Sequence, residues 1–331
     1  MPALTSHRIL TRRASLVLAA GLLTLTAGVQ AVAQPAYPAK PVHFIVNFAA
    51  GGPTDILARV VADSLQKELK QPFVVENRAG AGGNVGADAV AKGPADGYAV
   101  LFSIDTTFTT NPSLYPSMPF RQEDFKIVML MTASGLLFGV NPALGIKSVP
   151  DFIARGRAGN LNFASAGNGT PAHIAMALLA DASGIKATNI PYRGTAPAVQ
   201  AMVSGEVDAG VVITPGLVAQ VQAGKVQALA VTGQKRSPLL PQVPTVAEVG
   251  LKGMEFEAMQ VAMVPAATPD AVVHVLQTAI AKALQQPEVK TRLDAMDMQV
   301  LAETGKAAES RLAANRARYA RIIQSTGMKA E

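Results

Sequence analysis

Cysteine and tryptophan are both absent from the 331 residues. Without thiols there is no disulfide framework, no thiolate metal site, no cysteine nucleophile and no residue for a lipoprotein anchor. Without Trp, and with aromatics at only 5%, the stacking platforms that commonly hold sugars are scarce. Charge is scarce too, at 16% of residues against 49% hydrophobic, and that balance excludes a disordered chain. The 29 Lys and Arg exceed the 23 Asp and Glu by six. Arg8, Arg12 and Arg13 precede Ala33 and no acid does, so the remainder carries 26 against 23, a charge of +3. With no clustered Lys/Arg run interleaved with aromatics, a nucleic-acid partner is not expected. At about 150 residues per domain, the length suggests two globular domains.

Residues 1–33 read as a secretory signal. His7, Arg8, Arg12 and Arg13 form a basic start, Ala14 to Val29 is apolar and uncharged, and Ala31-Val32-Ala33 offers small residues for cleavage. Gly21, Thr24, Thr26, Gly28 and Gln30 weaken the stretch relative to the roughly 20 strongly apolar residues of a membrane span. Thr11-Arg12-Arg13-Ala14-Ser15-Leu16 is a partial twin-arginine signal, with the general secretory route as its competitor. A periplasmic mature chain beginning near Gln34 is the expectation.

Strand-like and helical segments then alternate. Val42 to Phe48 follows Pro41 as a short apolar run, and Gly51-Gly52-Pro53-Thr54-Asp55 opens a helix with Leu57, Val60, Val61, Leu65 and Leu69 at helical spacing. Phe73 to Val75 and Tyr98 to Ser103 are strands, separated by a Gly-rich turn and a short helix over Gly80 to Lys92. A second set follows. Its strands are Leu161 to Ala164, Thr188 to Tyr192, Ala209 to Thr214 and Gln227 to Thr232; its helices are Thr170 to Ala182 and Ala196 to Ser204. Thr268 to Gln286 and Lys306 to Ser325 are helical and amphipathic. The long apolar runs Ile127 to Val140 and Phe256 to Val264 are candidates for strands that pass between domains. Such βαβ alternation predicts mostly parallel sheets flanked by helices.

The two sets match at their first turns. Asn47-Phe48-Ala49-Ala50-Gly51-Gly52-Pro53-Thr54 parallels Asn162-Phe163-Ala164-Ser165-Ala166-Gly167-Asn168-Gly169-Thr170. Each is a strand end, a small-residue turn and a Thr at a helix start. The first N–H groups of a helix lack internal partners and sit at its positive end, so such turns suit an anion. Glycine lets the anion approach the backbone, and Thr54 and Thr170 can cap the helix or donate a hydroxyl. Either turn alone reads first as an ordinary turn and cap; two matched turns on opposite domains favour a carboxylate clamp beyond the carboxyl ends of the strands.

Rival chemistries have weaker support. Gly167-Asn168-Gly169-Thr170-Pro171-Ala172 fits G-x-G-x-x-A, but the next strand ends at Pro191-Tyr192 without the acid that holds a ribose. No P-loop motif occurs. Ser165 has Phe163 where a nucleophile elbow requires Gly. Ser165 with His173 could form a hydrolytic dyad, although no Asp has an evident claim to orient the histidine; His173 could equally line a ligand pocket. His43 lies in an apolar strand and His274 in the tail helix. No pair of His has metal-ligand spacing, and neither a metal nor another cofactor is expected. Phe48 and Tyr192 are the aromatics nearest the cleft, with core burial an equal alternative for both.

At these motifs the chain resembles the periplasmic solute receptors of tripartite tricarboxylate transporters, the Bug receptors. The resemblance runs from Tyr37-Pro38-Ala39-Lys40-Pro41 to Gly327-Met328-Lys329. It is carried by Phe48 to Asp55, Val75-Glu76-Asn77-Arg78-Ala79-Gly80-Ala81-Gly82-Gly83-Asn84, Asp96-Gly97-Tyr98, Asn111-Pro112-Ser113-Leu114-Tyr115, Ala164 to Thr170, Pro191-Tyr192-Arg193-Gly194 and Lys235-Arg236-Ser237-Pro238-Leu239-Leu240-Pro241. The resemblance implies a type II periplasmic binding protein: two α/β domains joined by a hinge, with the ligand cleft between them and no catalytic residues. Domain 1 would comprise 35–135 with 262–331, domain 2 would comprise 136–261, and hinge strands would lie near 127–140 and 256–264.

The resemblance also implies a small carboxylate ligand, partly held through water, and membrane permease subunits as partners. A role as ligand sensor for a membrane kinase uses the same cleft. Carried onto this chain, the ligand loops are Phe48, Ala49, Gly51, Gly52, Thr54 and Asp55; Thr107 and Thr109 in the loop after the Tyr98 strand; Ser165, Ala166, Gly167, Asn168, Thr170 and His173; and Tyr192, Gly194 and Thr195. Relatives often carry an Asp in the strand after Gly-x-Val-Asp, where it can meet a ligand amine. Here Gly205-Glu206-Val207-Asp208 leads into a strand with Val212 at that place. A buried ammonium without a counter-charge is costly, so a dicarboxylate or aromatic carboxylate is expected in preference to an amino acid.

Overall fold

The computed structural model describes residues 37–192 and 194–329; the expected signal segment and Arg193 lie outside them. Strand β1 (Val42–Val46) runs parallel to β2 (Phe73–Asn77) on one side and β3 (Ala99–Ile104) on the other. Helix α1 (Pro53–Leu69) crosses over from β1 to β2. Its apolar stripe, Leu57, Val61 and Leu65, is fully buried against Val42, Phe44 and Val46. Phe44 stacks against Phe73 and Phe102 at 5.2 and 4.3 Å between ring centroids. Helix α2 (Asn84–Ala91) completes the crossover to β3.

The second set repeats this plan. Strand β5 (Leu161–Ser165) lies between β6 (Ala187–Pro191) and β7 (Ala209–Ile213), parallel to both. Two further helices, α6 (Pro171–Ser183) and α7 (Thr195–Ser204), make the crossovers. The orders β2-β1-β3 and β6-β5-β7 are therefore equivalent, and the matched turns occupy equivalent places at the carboxyl ends of β1 and β5.

Strand β4 (Phe125–Val140) joins the two regions. At 16 residues it spans about 50 Å. Its first part pairs antiparallel with β9 (Glu257–Pro265), which in turn flanks β3. Its last residues, Leu136 to Val140, pair with β7 and β8 (Gln227–Val231). Both apolar runs singled out in the sequence are thus strands, but β9 stays with the first sheet. The chain returns there at Phe256, where one hydroxyl ties the passages together. Thr232 Oγ1 donates to the Phe256 carbonyl at 2.6 Å and accepts from the Leu136 N–H at 2.8 Å. The antiparallel β4 and β9 make each sheet mixed beyond its parallel core.

Several elements have no counterpart in the sequence reading. Residues 106–114 form two single helical turns, α3 (Thr106–Thr109) and α4 (Asn111–Leu114), rather than a loop. Among the others are helix α5 (Val149–Ala158), helix α8 (Pro215–Gln222), helix α10 (Pro287–Ala295) and strand β10 (Gln299–Glu303). Between them lie α9 (Asp270–Gln285) and α11 (Gly305–Thr326), the two amphipathic tail helices. α9 packs on α1 and β4, and α11 covers α3, α6 and β4. Among the described residues no helix is long and apolar enough to cross a membrane.

Candidate functional site

The turns after β1 and β5 open onto one cavity of about 530 Å³. From the first sheet come Phe48 through Thr54; from the second come Ala166, Thr170, Pro171, Ala172 and Thr195. Three helix N-termini therefore border the same space: those of α1, α6 and α7. None of the residues lining it carries a charge. Any negative charge placed there is met by N–H dipoles, hydroxyls and amides rather than by Lys or Arg.

The first turn is built by its own side chains. Gly51 takes a positive φ of 80° with open space where a Cβ would point. The Gly51 N–H donates to Asp55 Oδ2 at 2.9 Å. Pro53 sits at the start of α1, and Gly52 provides no side-chain cap. Asp55 is buried, and burial alone would raise its pKa. Hydrogen bonds from Arg59, the Gly51 N–H and Asn77 outweigh that and hold it below the usual carboxylate range. Arg59 clasps both carboxylate oxygens at 2.9 and 3.0 Å. Asp55 thus fastens the turn from behind and does not line the cavity.

Thr54 does not cap its helix either. Its hydroxyl donates to Gln260 Oε1 at 2.8 Å, bridging α1 to β9. Both residues are buried and both line the cavity. With Oε1 occupied, Gln260 has its Nε2 amide to offer as a donor. Ser134, on β4, also lines the cavity and is buried, and its hydroxyl has no hydrogen-bond partner.

The second turn is wound on itself. Thr170 Oγ1 donates to the Gly167 carbonyl at 2.7 Å. Ser165 is fully buried, and its hydroxyl donates to the same carbonyl at 3.1 Å. His173 Nδ1 accepts from the Gly169 N–H at 3.2 Å. Burial pushes the histidine pKa down to about 4, so the ring is a neutral acceptor that braces the turn. Asn168 Oδ1 accepts from Asn189 at 2.8 Å. The turn also touches the other lobe, since a Cβ on Gly169 (φ 71°) would lie 2.5 Å from Leu114 Cδ1 of α4.

Of the residues singled out in the sequence, Phe48, Ala49, Gly51, Gly52, Thr54, Ala166, Thr170, Thr195 and Val212 line the cavity. The others stand behind it. Thr107 is buried on α3, where its hydroxyl donates to the Gly82 carbonyl at 3.2 Å and accepts from Asn47. Thr109 donates to the Asp105 carbonyl at 3.0 Å. Asp55, Ser165, Gly167, Asn168 and His173 shape the two turns. Gly194 bonds the Ala166 carbonyl at 3.3 Å. Tyr192 turns away and donates to Glu206 at 2.7 Å, its pKa raised to about 12 by burial and that bond.

Sequence reasoning missed Gln260, Ser134, Ile104, Leu136, Met296 and Met298, all of which line the cavity. For two of them a signal existed. Gln260 interrupts the apolar run Met259 to Val264, and Ser134 interrupts Ile127 to Val140. A polar residue inside a buried strand needs a partner.

The profile of the tripartite tricarboxylate transporter family receptor matches residues 57–328. Protein BugT of Bordetella pertussis is 35% identical over 314 residues, 93% of this chain and 96% of BugT. The adipate-bound structure of R. palustris Rpa4515 is 30% identical and superposes with a TM-score of 0.80, covering 89% of this chain and all of that one. MatC of Rhodopseudomonas palustris with bound malate is also 30% identical, at a TM-score of 0.75 over 87% of this chain and all of MatC. The fold is that of the two-domain periplasmic binding proteins.

Proposed function

Because the chain belongs to the tripartite tricarboxylate transporter receptor family, we propose that its cavity captures a small carboxylate for a membrane permease of that type. The observation that carries this reading is the meeting of the Phe48–Thr54 turn and the Ala166–Thr170 turn on one cavity. Backbone N–H groups and hydroxyls from opposite lobes can grip one anion only when the lobes are together. Binding then stabilises the closed form. Each such contact to a carboxylate contributes about 1.5–3 kcal/mol. The bound adipate and malate of the two structural relatives support the carboxylate class.

The missing counter-charge narrows the class. Val212 lines the cavity and no acidic side chain does, so a ligand ammonium would be buried unpaired at a cost of several kcal/mol. A dicarboxylate or an aromatic carboxylate fits better than an amino acid. We read the protein as a binding protein, in keeping with its family and its structural neighbours; Ser165 and His173 both brace the second turn. The lobes would divide as 37–135 with 257–329 and 136–256, the expected boundary at 261 moving back to 256 because β9 pairs within the first sheet along its length, with the hinge where β4 and the Thr232–Phe256 crossing pass between them. Residues 1–33 would direct the chain to the periplasm.

The test is mass spectrometry of small molecules released from the purified protein, with Gly52→Leu as control. A carboxylic acid released from the native chain and lost from the variant is expected. A neutral sugar or an amine in its place contradicts the reading.

A further inference from the structure

The strands between the lobes have a second face. Ala258 and Gln260 of β9 line the front cavity already described, whereas Glu257 and Met259, on the alternate positions, line a separate cavity of about 450 Å³ behind the hinge. Its other wall is α11, where Arg311, Asn315, Arg318 and Tyr319 follow the i, i+4, i+7, i+8 spacing of one helix face. Gln234 and Glu255 bring in the second lobe. α11 itself is packed into both lobes. Ala308 and Leu312 cluster with Leu101 and Val261 of the first sheet, and Tyr319 and Ile323 cluster with Phe256 and with Leu178 of α6. The back cavity is therefore shaped by both lobes.

The charges around this cavity do not cancel. Arg311 is committed to Glu303, at 2.6 and 2.8 Å. Arg318 donates to the Gly253 and Glu255 carbonyls, at 2.5 and 2.7 Å. The carboxylates of Glu255 and Glu257 accept from the backbone N–H groups of Gly253 and Gln234, at 2.9 and 3.3 Å, and neither forms an ion pair among the described residues. Two unpaired carboxylates thus stand against the one guanidinium of Arg318. Tyr319 adds an acceptor. It is 1% exposed and packs on Phe256 at 5.1 Å between ring centroids, yet its hydroxyl has no hydrogen-bond partner among the described residues. Burial, and then the charge of the buried Asp105, raise its pKa, so the hydroxyl stays protonated. A buried polar group without a partner calls for one.

We propose that the back cavity is a second ligand site, for a small organic cation with several N–H donors such as a guanidinium or alkylammonium group, and that its occupancy strengthens binding in the front cavity. Glu255, Glu257 and the Tyr319 oxygen accept the N–H groups, and the ligand's charge offsets the excess carboxylate. The linkage follows from shape. The back cavity has its present width at the lobe angle that brings both turns onto the front cavity, so an occupant that fits it stabilises that angle. The back site goes beyond the carboxylate reading and does not depend on it.

The experiment is calorimetric titration of the purified protein with butylguanidinium and with butylurea, its neutral counterpart of the same shape. Butylguanidinium should bind about tenfold or more tightly than butylurea. Glu257→Gln should weaken it by about tenfold or more, and Tyr319→Phe, which keeps the ring and removes only the hydroxyl, by roughly twofold to tenfold. Adipate titrated with butylguanidinium at saturation should bind about fivefold or more tightly than adipate alone. Thermal melts identify any variant that fails to fold, and the comparison of the two probes on the native chain stands without the variants. Equal affinity for butylguanidinium and butylurea, or no binding of either, overturns the site. Butylguanidinium binding that is unchanged in a folded Glu257→Gln overturns it as well. Adipate affinity that is unchanged or weakened by the cation overturns the linkage.

Discussion

Thr54→Val separates the two jobs of one hydroxyl. Valine matches threonine in shape, so packing at the start of α1 is kept while the 2.8 Å bond to Gln260 Oε1 is lost. That bond is neutral and buried, and its removal should lower stability by about 0.5–1.5 kcal/mol. The effect on binding is separate. Without Thr54 the Gln260 amide is free to turn over and present Oε1 to the cavity. A donor to a carboxylate is then replaced by an acceptor that repels it. Losing one charge-assisted bond is worth about 1.5–3 kcal/mol, which raises Kd roughly tenfold to a hundredfold. Calorimetry with adipate reads the affinity, and urea unfolding reads the stability. Thr54→Ser keeps the donor and should recover most of the affinity. A change in Kd below threefold in Thr54→Val, with the expected stability loss present, would refute the idea that Gln260 is an oriented donor.

Three further outcomes follow from the same geometry. Gly52 has an ordinary φ of −78° and only the Ala49 carbonyl near its missing Cβ, at 3.4 Å. Gly52→Leu should therefore fold normally, seen by circular dichroism, and lose measurable ligand binding. His173 keeps its native proton only below about pH 4, whereas in the unfolded chain it takes one up below about pH 6.5. Between these values the unfolded state binds more protons, so stability should decline as pH falls, by up to about 3 kcal/mol; His173→Gln should flatten that slope in denaturant titrations at pH 4–7. Gly169→Ala adds a methyl group 2.5 Å from Leu114 and forces an L-residue to positive φ, a strain of about 1–2 kcal/mol. It should weaken ligand binding by holding the lobes apart, and Leu114→Ala should partly restore it.

The crossovers were legible because their periodicities are strong. Leu57, Val61 and Leu65 announce α1 without help from the rest of the chain, and the apolar runs announce β4 and β9. The equivalence of the two lobes was visible at the Phe48–Thr54 and Ala166–Thr170 turns, whose small residues can serve only where backbone is tightly turned. β10 left no such mark: its five residues are all half-buried, so its alternation is blurred.

At the site, residue type suggested contact where geometry gives support. Ser165 and Thr109 are short hydroxyl side chains that bond backbone within four residues, a common fate of such groups, and Thr107 bonds the more distant Gly82 carbonyl. His173 is turned toward its own loop by the Gly169 N–H. Met296, Met298 and Gln260 were illegible as a group, because they lie far from the turns in sequence and only the sheet order brings them together. Val212 was legible, since a strand position missing an expected acid can be recognised without coordinates.

The central claim is that uncharged donors from both lobes hold a carboxylate. The most direct measurement is a paired titration of the purified protein with adipate and with adipamide, which differ in charge far more than in shape. Adipate should bind at least a hundredfold more tightly, equivalent to about 2.7 kcal/mol or more, and weaken little with added salt because the cavity is shielded. Equal affinity for the two compounds, or binding of the amide alone, would contradict it.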